Sequence, residues 1–172
     1  MKIRCQSFAS QASFMPSPIS RRRQILFVGQ CNDALSQMAE AFAVVLLGPL
    51  GIQVASGGLT PTGVRPWAVQ VMAEIGIDIT RHVSKSVVGF EPGAIDTLVL
   101  VEPGLAIPSV FRPLRRVEWA LDAGRAEAPL ADPKLDLQRR LRDRVEAAVL
   151  RLIAVGATGR RRHAVVAAPT KH

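Results

Sequence analysis

Only two cysteines, Cys5 and Cys31, and three histidines, His82, His163 and His172, occur among the 172 residues. The cysteines fall in an N-terminal stretch and in a polar loop, so no disulfide framework is implied and a reducing, cytoplasmic setting fits. No Cys/His cluster has ligand spacing, so neither a metal site nor a cofactor is expected. Long apolar runs are absent as well. The longest, Ala41–Leu47, covers about two helical turns, far short of the roughly 18 residues a membrane span needs. No G-x-x-x-x-G-K-[ST] segment is present, which excludes a Walker-type nucleotide loop. Acids are missing from both ends. Residues 1–24 carry Lys2, Arg4, Arg21, Arg22 and Arg23, and residues 156–172 carry Arg160, Arg161, Arg162 and Lys171, with no Asp or Glu in either stretch.

The net charge of +8 therefore has a location. The two ends hold nine of the 22 basic residues, leaving thirteen against fourteen acids between 25 and 155. A near-neutral middle argues against a specific nucleic-acid binder. The organisation expected is a disordered basic N-terminal extension (1–23), one domain (24–155) and a basic flexible tail (156–172). The first 24 residues are rich in Ser and Arg, which overlaps with transit-peptide composition; a true start at Met15 instead of Met1 is the simpler account.

The middle reads as alternating strands and helices. Gln24–Gly29 (QILFVG) is a short apolar run suited to a buried parallel strand. A polar loop, Gln30–Leu35, leads into a helix reading SQMAEAFAVVLL, with Ser36 or Asp33 as N-cap and Gly48-Pro49 as its end. Ile52–Ser56 reads as a second strand. Pro66 opens a helix to about Ile75 with Trp67, Val71, Met72 and Ile75 on one face. Val83–Val88 is ambiguous, with a short helix one option. Ile95–Val101 is the strongest strand, and Arg115–Leu121 a shorter, more polar one nearer an edge. Asp132 and Pro133 open a last helix to about Val155, with Leu137, Leu141, Val145, Val149 and Leu152 as its apolar stripe and arginines outside. This order predicts an α/β fold: a single three-layer domain with a four-stranded parallel sheet flanked by helices.

A strand, a tight polar loop and a helix N-terminus make an anion-binding arrangement, because free backbone N–H groups and the helix dipole both favour negative charge. Gly29, Gln30, Cys31, Asn32, Asp33, Ala34, Leu35 and Ser36 form the candidate phosphate loop. The segment ILFVGQCNDALSQMAEAF resembles the opening of the low-molecular-weight tyrosine phosphatases and thioredoxin-coupled arsenate reductases: an apolar strand, C-x5-R-S, then a helix reading QMAEAF. VASGGLTPTGVRPWAVQVMAEIGIDITRHVSKSV resembles the family's next segment, IDTLVLV its third strand, RRVEWALD its E-H-W…D-P region and RRLRDRVEAAV its last helix.

The resemblance implies the family's fold over residues 24–155 and a chemistry with three groups. A thiolate attacks phosphorus or arsenic. An arginine clamps the equatorial oxygens. An aspartate protonates the leaving oxygen. Aligned through SQMAEAF, the nucleophile position is Gly29 and the arginine position is Leu35, and neither can do this work. Asp33 adds a carboxylate that would repel an oxyanion, while Asn32 and Ser36 match the family's loop-supporting residues. Cys31, as a displaced nucleophile, stands two residues late with Gln37 in place of an arginine six residues on; the preferred reading is a small loop residue. Asp122 falls about one residue early for the general acid. The reductases' further cysteines are missing: Glu102 and Pro103-Gly104-Leu105 follow the third strand. His82, Ser84 and Lys85 match the family's H-x-S-K and read as structural. The expected function is that of a catalytically inactive family member, a binding or regulatory module for an anion or a phosphorylated protein. The alternative is a working phosphatase or reductase using Cys31, with Arg65, Arg81 or Arg125 replacing the lost arginine.

Overall fold

The computed structural model describes residues 24–121 and 133–157. Four strands, β1 (Gln24–Gly29), β2 (Gln53–Gly58), β3 (Thr97–Leu100) and β4 (Arg115–Glu118), form one parallel sheet in the order β2-β1-β3-β4. β4 lies at an edge, as its polar sequence led one to expect. β2 runs two residues further than expected, through Gly57 and Gly58, because both glycines still pair with the end of β1. β3 and β4 are shorter than the expected strands Ile95–Val101 and Arg115–Leu121.

Side-chain alternation along β1 builds two cores. Phe27 faces one side with Val99 and Val117; Leu26 and Val28 face the other with Leu98 and Leu100. The Phe27 side is covered by α1 (Leu35–Leu47), α2 (Pro66–Ala73) and α3 (Pro133–Ala157). From α1 it receives Met38, Ala39 and Phe42, from α2 Val71 and Met72, and from α3 Val145, Val149 and Leu152. Phe27 also packs on Trp119 with ring centroids 5.5 Å apart. Each fully buried side chain of this size contributes about 1.5–3 kcal/mol. The opposite side is covered by short 3-10 turns at Val87–Gly89 and Pro92–Ala94 and by the β3–β4 connection, which buries Leu105 and Phe111. The ambiguous 83–88 segment is thus extended, with a bridge from Ser86 to Gly58, before its brief turn.

Two helix readings need correction. Neither Ser36 nor Asp33 caps α1: the N-cap position is Ala34, without a side-chain bond, since both polar side chains are engaged elsewhere. On α3, Leu137 is exposed while Val145, Val149 and Leu152 are buried, and the helix runs to Ala157. Its arginines are not all solvated: Arg139 and Arg142 both reach Glu74 just beyond α2, and Arg142 donates to the Val71 carbonyl. These bonds tie α3 to α2. Among the described residues, no helix is long and apolar enough to cross a membrane.

Candidate functional site

Strand order reverses between β1 and β3, since the chain leaves β1 toward β2 and returns to β3 on the other side. In open parallel sheets ligands bind at such a point, beyond the strands' C-terminal ends. The loop from Gly29 to Ser36 lies there, between the end of β1 and the start of α1.

The loop turns on Asn32, whose φ of 49° makes it the one non-glycine in the left-handed region among the described residues. Asparagine tolerates that region better than most residues. Among the described residues, the N–H groups of Cys31 to Gln37 donate to no protein acceptor. They form a set of unpaired donors at a helix N-terminus, the arrangement that receives anions.

Beneath the loop the polar groups are fully engaged. Asn32 is 1% exposed. Its Nδ2 donates to Ser36 Oγ at 3.0 Å and Ser56 Oγ at 2.8 Å. Its Oδ1 accepts from the Lys85 N–H at 2.7 Å and from Gln37 Nε2 at 3.0 Å. Its carbonyl accepts from Ser84 Oγ and Gln37 Nε2. The Ser56 hydroxyl donates to Glu40 Oε2 at 2.5 Å, and Lys85 Nζ pairs with that carboxylate at 3.1 Å. His82 donates from Nδ1 to Gln37 Oε1 at 2.9 Å; the amide nitrogen of Gln37 is already committed to carbonyl oxygens, which fixes this tautomer. Burial holds the His82 imidazole below its ordinary pKa, with Glu40 pulling the other way. Gly58 lets β2 approach: a Cβ there would stand 2.8 Å from the Asn32 nitrogen.

The mouth of the loop differs. Gly29 is buried, and a Cβ on it would stand 3.2 Å from Glu102 Oε1, 3.2 Å from Val101 Cγ2 and 3.4 Å from Ser36 Oγ. Glu102 Oε2 accepts the Gln30 N–H at 3.3 Å. Leu35 is half-buried and packs on the larger core. Asp33 meets Arg65, Nε to Oδ2 at 2.8 Å, and accepts the Arg65 N–H through its carbonyl. That bond and the Asp33 charge raise the Arg65 pKa. The carboxylate expected to repel an anion is therefore paired with one of the three arginines considered as replacements. Arg81 is exposed, and Arg125 and the candidate acid Asp122 lie outside the described residues. Cys31 is a free, half-buried thiol. Among the described residues no group of three or more His, Cys, Asp or Glu could hold a metal ion.

Sequence reasoning placed the loop but missed four of its supports: Gln37, Glu40, Ser56 and Gly58. It read His82, Ser84 and Lys85 as structural without connecting them to the loop. They reach it across 45 to 53 residues of chain. The only signal available was the S-K dipeptide within the family resemblance.

Residues 24–157 match the family model described as low molecular weight phosphotyrosine protein phosphatase. A glutaredoxin arsenate reductase of Synechocystis sp. is 33% identical over 136 residues, which cover 77% of this chain and 97% of that protein. Arsenate reductase 2 of Staphylococcus epidermidis is 30% identical over 138 residues, covering 74% of this chain and 94% of that one. The solved structure of an arsenate reductase in the phosphate binding state superposes with a TM-score of 0.66 at 30% identity, covering 77% of this chain and 98% of that one. The parallel sheet, the loop at its switch point and these matches agree: the chain belongs to the low-molecular-weight phosphotyrosine protein phosphatase family.

Proposed function

We propose that this chain is a catalytically inactive member of its family, acting as a binding or regulatory module whose loop receives an anion or a phosphorylated protein. One observation carries the reading. At Gly29, the position that the family resemblance assigns to the nucleophile, there is no side chain, and a Glu102 oxygen stands 3.2 Å from where a Cβ would begin. A carboxylate beside that position disfavours a thiolate and an incoming oxyanion alike. Leu35, at the position assigned to the arginine, packs toward the core and brings no charge to a transition state. The unpaired amides support the binding half of the reading, since they need no thiol to hold an anion. The phosphate-bound relative supplies the ligand class by analogy. We place the protein in the cytoplasm, where the Cys31 thiol stays reduced.

The test is turnover of p-nitrophenyl phosphate and of arsenate with a thiol reductant, by purified protein. The expected outcome is no rate above buffer for either, unchanged in Cys31→Ser. Turnover that Cys31→Ser abolishes would replace this reading with the alternative of a displaced cysteine.

A further inference from the structure

The geometry points to Glu102 as a built-in competitor for the loop, a carboxylate that occupies its first amide and opposes an entering anion until it is displaced. This inference rests on the binding half of the proposed function and specifies how that site is controlled.

Glu102 comes to the loop from just beyond β3, the strand beside β1, 72 residues along the chain from Gln30. Its backbone is anchored on both sides. The preceding residue, Val101, continues the sheet through a 2.9 Å bond from its N–H to the Val28 carbonyl. Two residues on, Gly104 has a φ of 75° and donates its N–H to Glu118 Oε1 at 2.6 Å, which pins the turn leaving β3. Glu102 is thus held between two fixed points, with its carboxylate over Gly29 and against the first amide of the loop.

Three features make this contact a competition. The carboxylate is an acceptor only, so it uses the loop as an oxyanion would. It takes the Gln30 N–H and leaves the amides of Cys31 to Gln37 without a protein partner. The lack of a side chain at residue 29 eases this approach: a Cβ at that position would stand 3.2 Å from Oε1, tighter than ordinary contact. Glycine at 29 and glutamate at 102 therefore fit each other. A ligand anion entering the loop meets like charge at short range beside the first amide. It must turn Glu102 outward or be bound weakly.

The experiment compares wild type, Glu102→Gln and Glu102→Ala for binding of inorganic phosphate by calorimetry, with thermal melts to establish folding and amide spectra to follow Gln30. Both variants should bind phosphate at least about tenfold more tightly than wild type, because a like charge is removed from the site. The Gln30 amide should shift in both variants before any phosphate is added. Equal affinity in all three folded proteins, or tighter binding by wild type, overturns the competition and leaves the binding module intact. No binding by any of the three overturns both the competition and the anion-binding reading. A gain confined to one variant also overturns it, since both remove the charge.

Discussion

The underside of the loop and its mouth share one short stretch of chain and have opposite character. Below, Asn32, Ser36, Gln37, Ser56, Ser84 and Lys85 satisfy one another in a buried network. Above, Gly29 offers no side chain, Leu35 turns to the core, Asp33 is paired with Arg65 and Glu102 reaches the first amide. The underside sets the backbone path; the mouth would set the chemistry. A chain can keep the first while changing the second, because the donors of such a site are backbone amides, whereas the side chains at its mouth set what enters.

The sharpest way to break this contrast is Asn32→Ala. It strips partners from two serines, a glutamine and a backbone N–H, and it leaves a residue poorly suited to φ of 49°. Unsatisfied buried groups each cost about 1–3 kcal/mol, so a total of roughly 3 kcal/mol is expected. For a domain of this size that lowers Tm by about 10 °C. A loss near zero in a denaturant titration would mean that the network is ornamental.

Acid should act next, through His82. Its folded pKa is depressed, so between that value and the ordinary value near 6.5 the unfolded chain binds the proton more readily. The stability that follows from keeping this ring neutral is present above pH 6.5 and is lost as pH falls through the folded pKa. Glu74 and Asp78, also held below their ordinary values, act in a lower window, under about pH 4.5. Thermal melts from pH 7.5 to 5 should show declining Tm in wild type and a flatter line in His82→Gln. An unchanged slope in the variant would remove His82 from the underside's account.

The smallest effect belongs to the mouth. Leu35→Arg places a long stem on a half-buried position and lets its charged end reach solvent. The expected cost is below about 1 kcal/mol, with a Tm shift of at most a few degrees. A collapse comparable to Asn32→Ala would show that mouth and underside are one unit after all.

Much of this was legible along the chain. The QILFVG run gave β1 to the residue, since a buried strand needs nothing beyond apolar side chains and a polar exit. The N-terminus of α1 was placed within one residue, yet its cap was misread. Asp33 is drawn away by Arg65 and Ser36 by Asn32, and neither competitor is visible in local sequence. α3 was found from its stripe, but Arg139 and Arg142 looked like surface because their partner Glu74 lies 65 and 68 residues away.

The sequence by itself determined the α/β order, the position of the loop, and the lack of side-chain chemistry at Gly29 and Leu35, because these follow from residue identity and short-range periodicity. Only the tertiary structure decided what surrounds the loop. It brought His82, Ser84 and Lys85 under Asn32, set Arg65 on Asp33, and laid Glu102 over Gly29. Those contacts depend on which strand ends lie side by side, and a parallel sheet settles that by long-range pairing that local sequence does not encode.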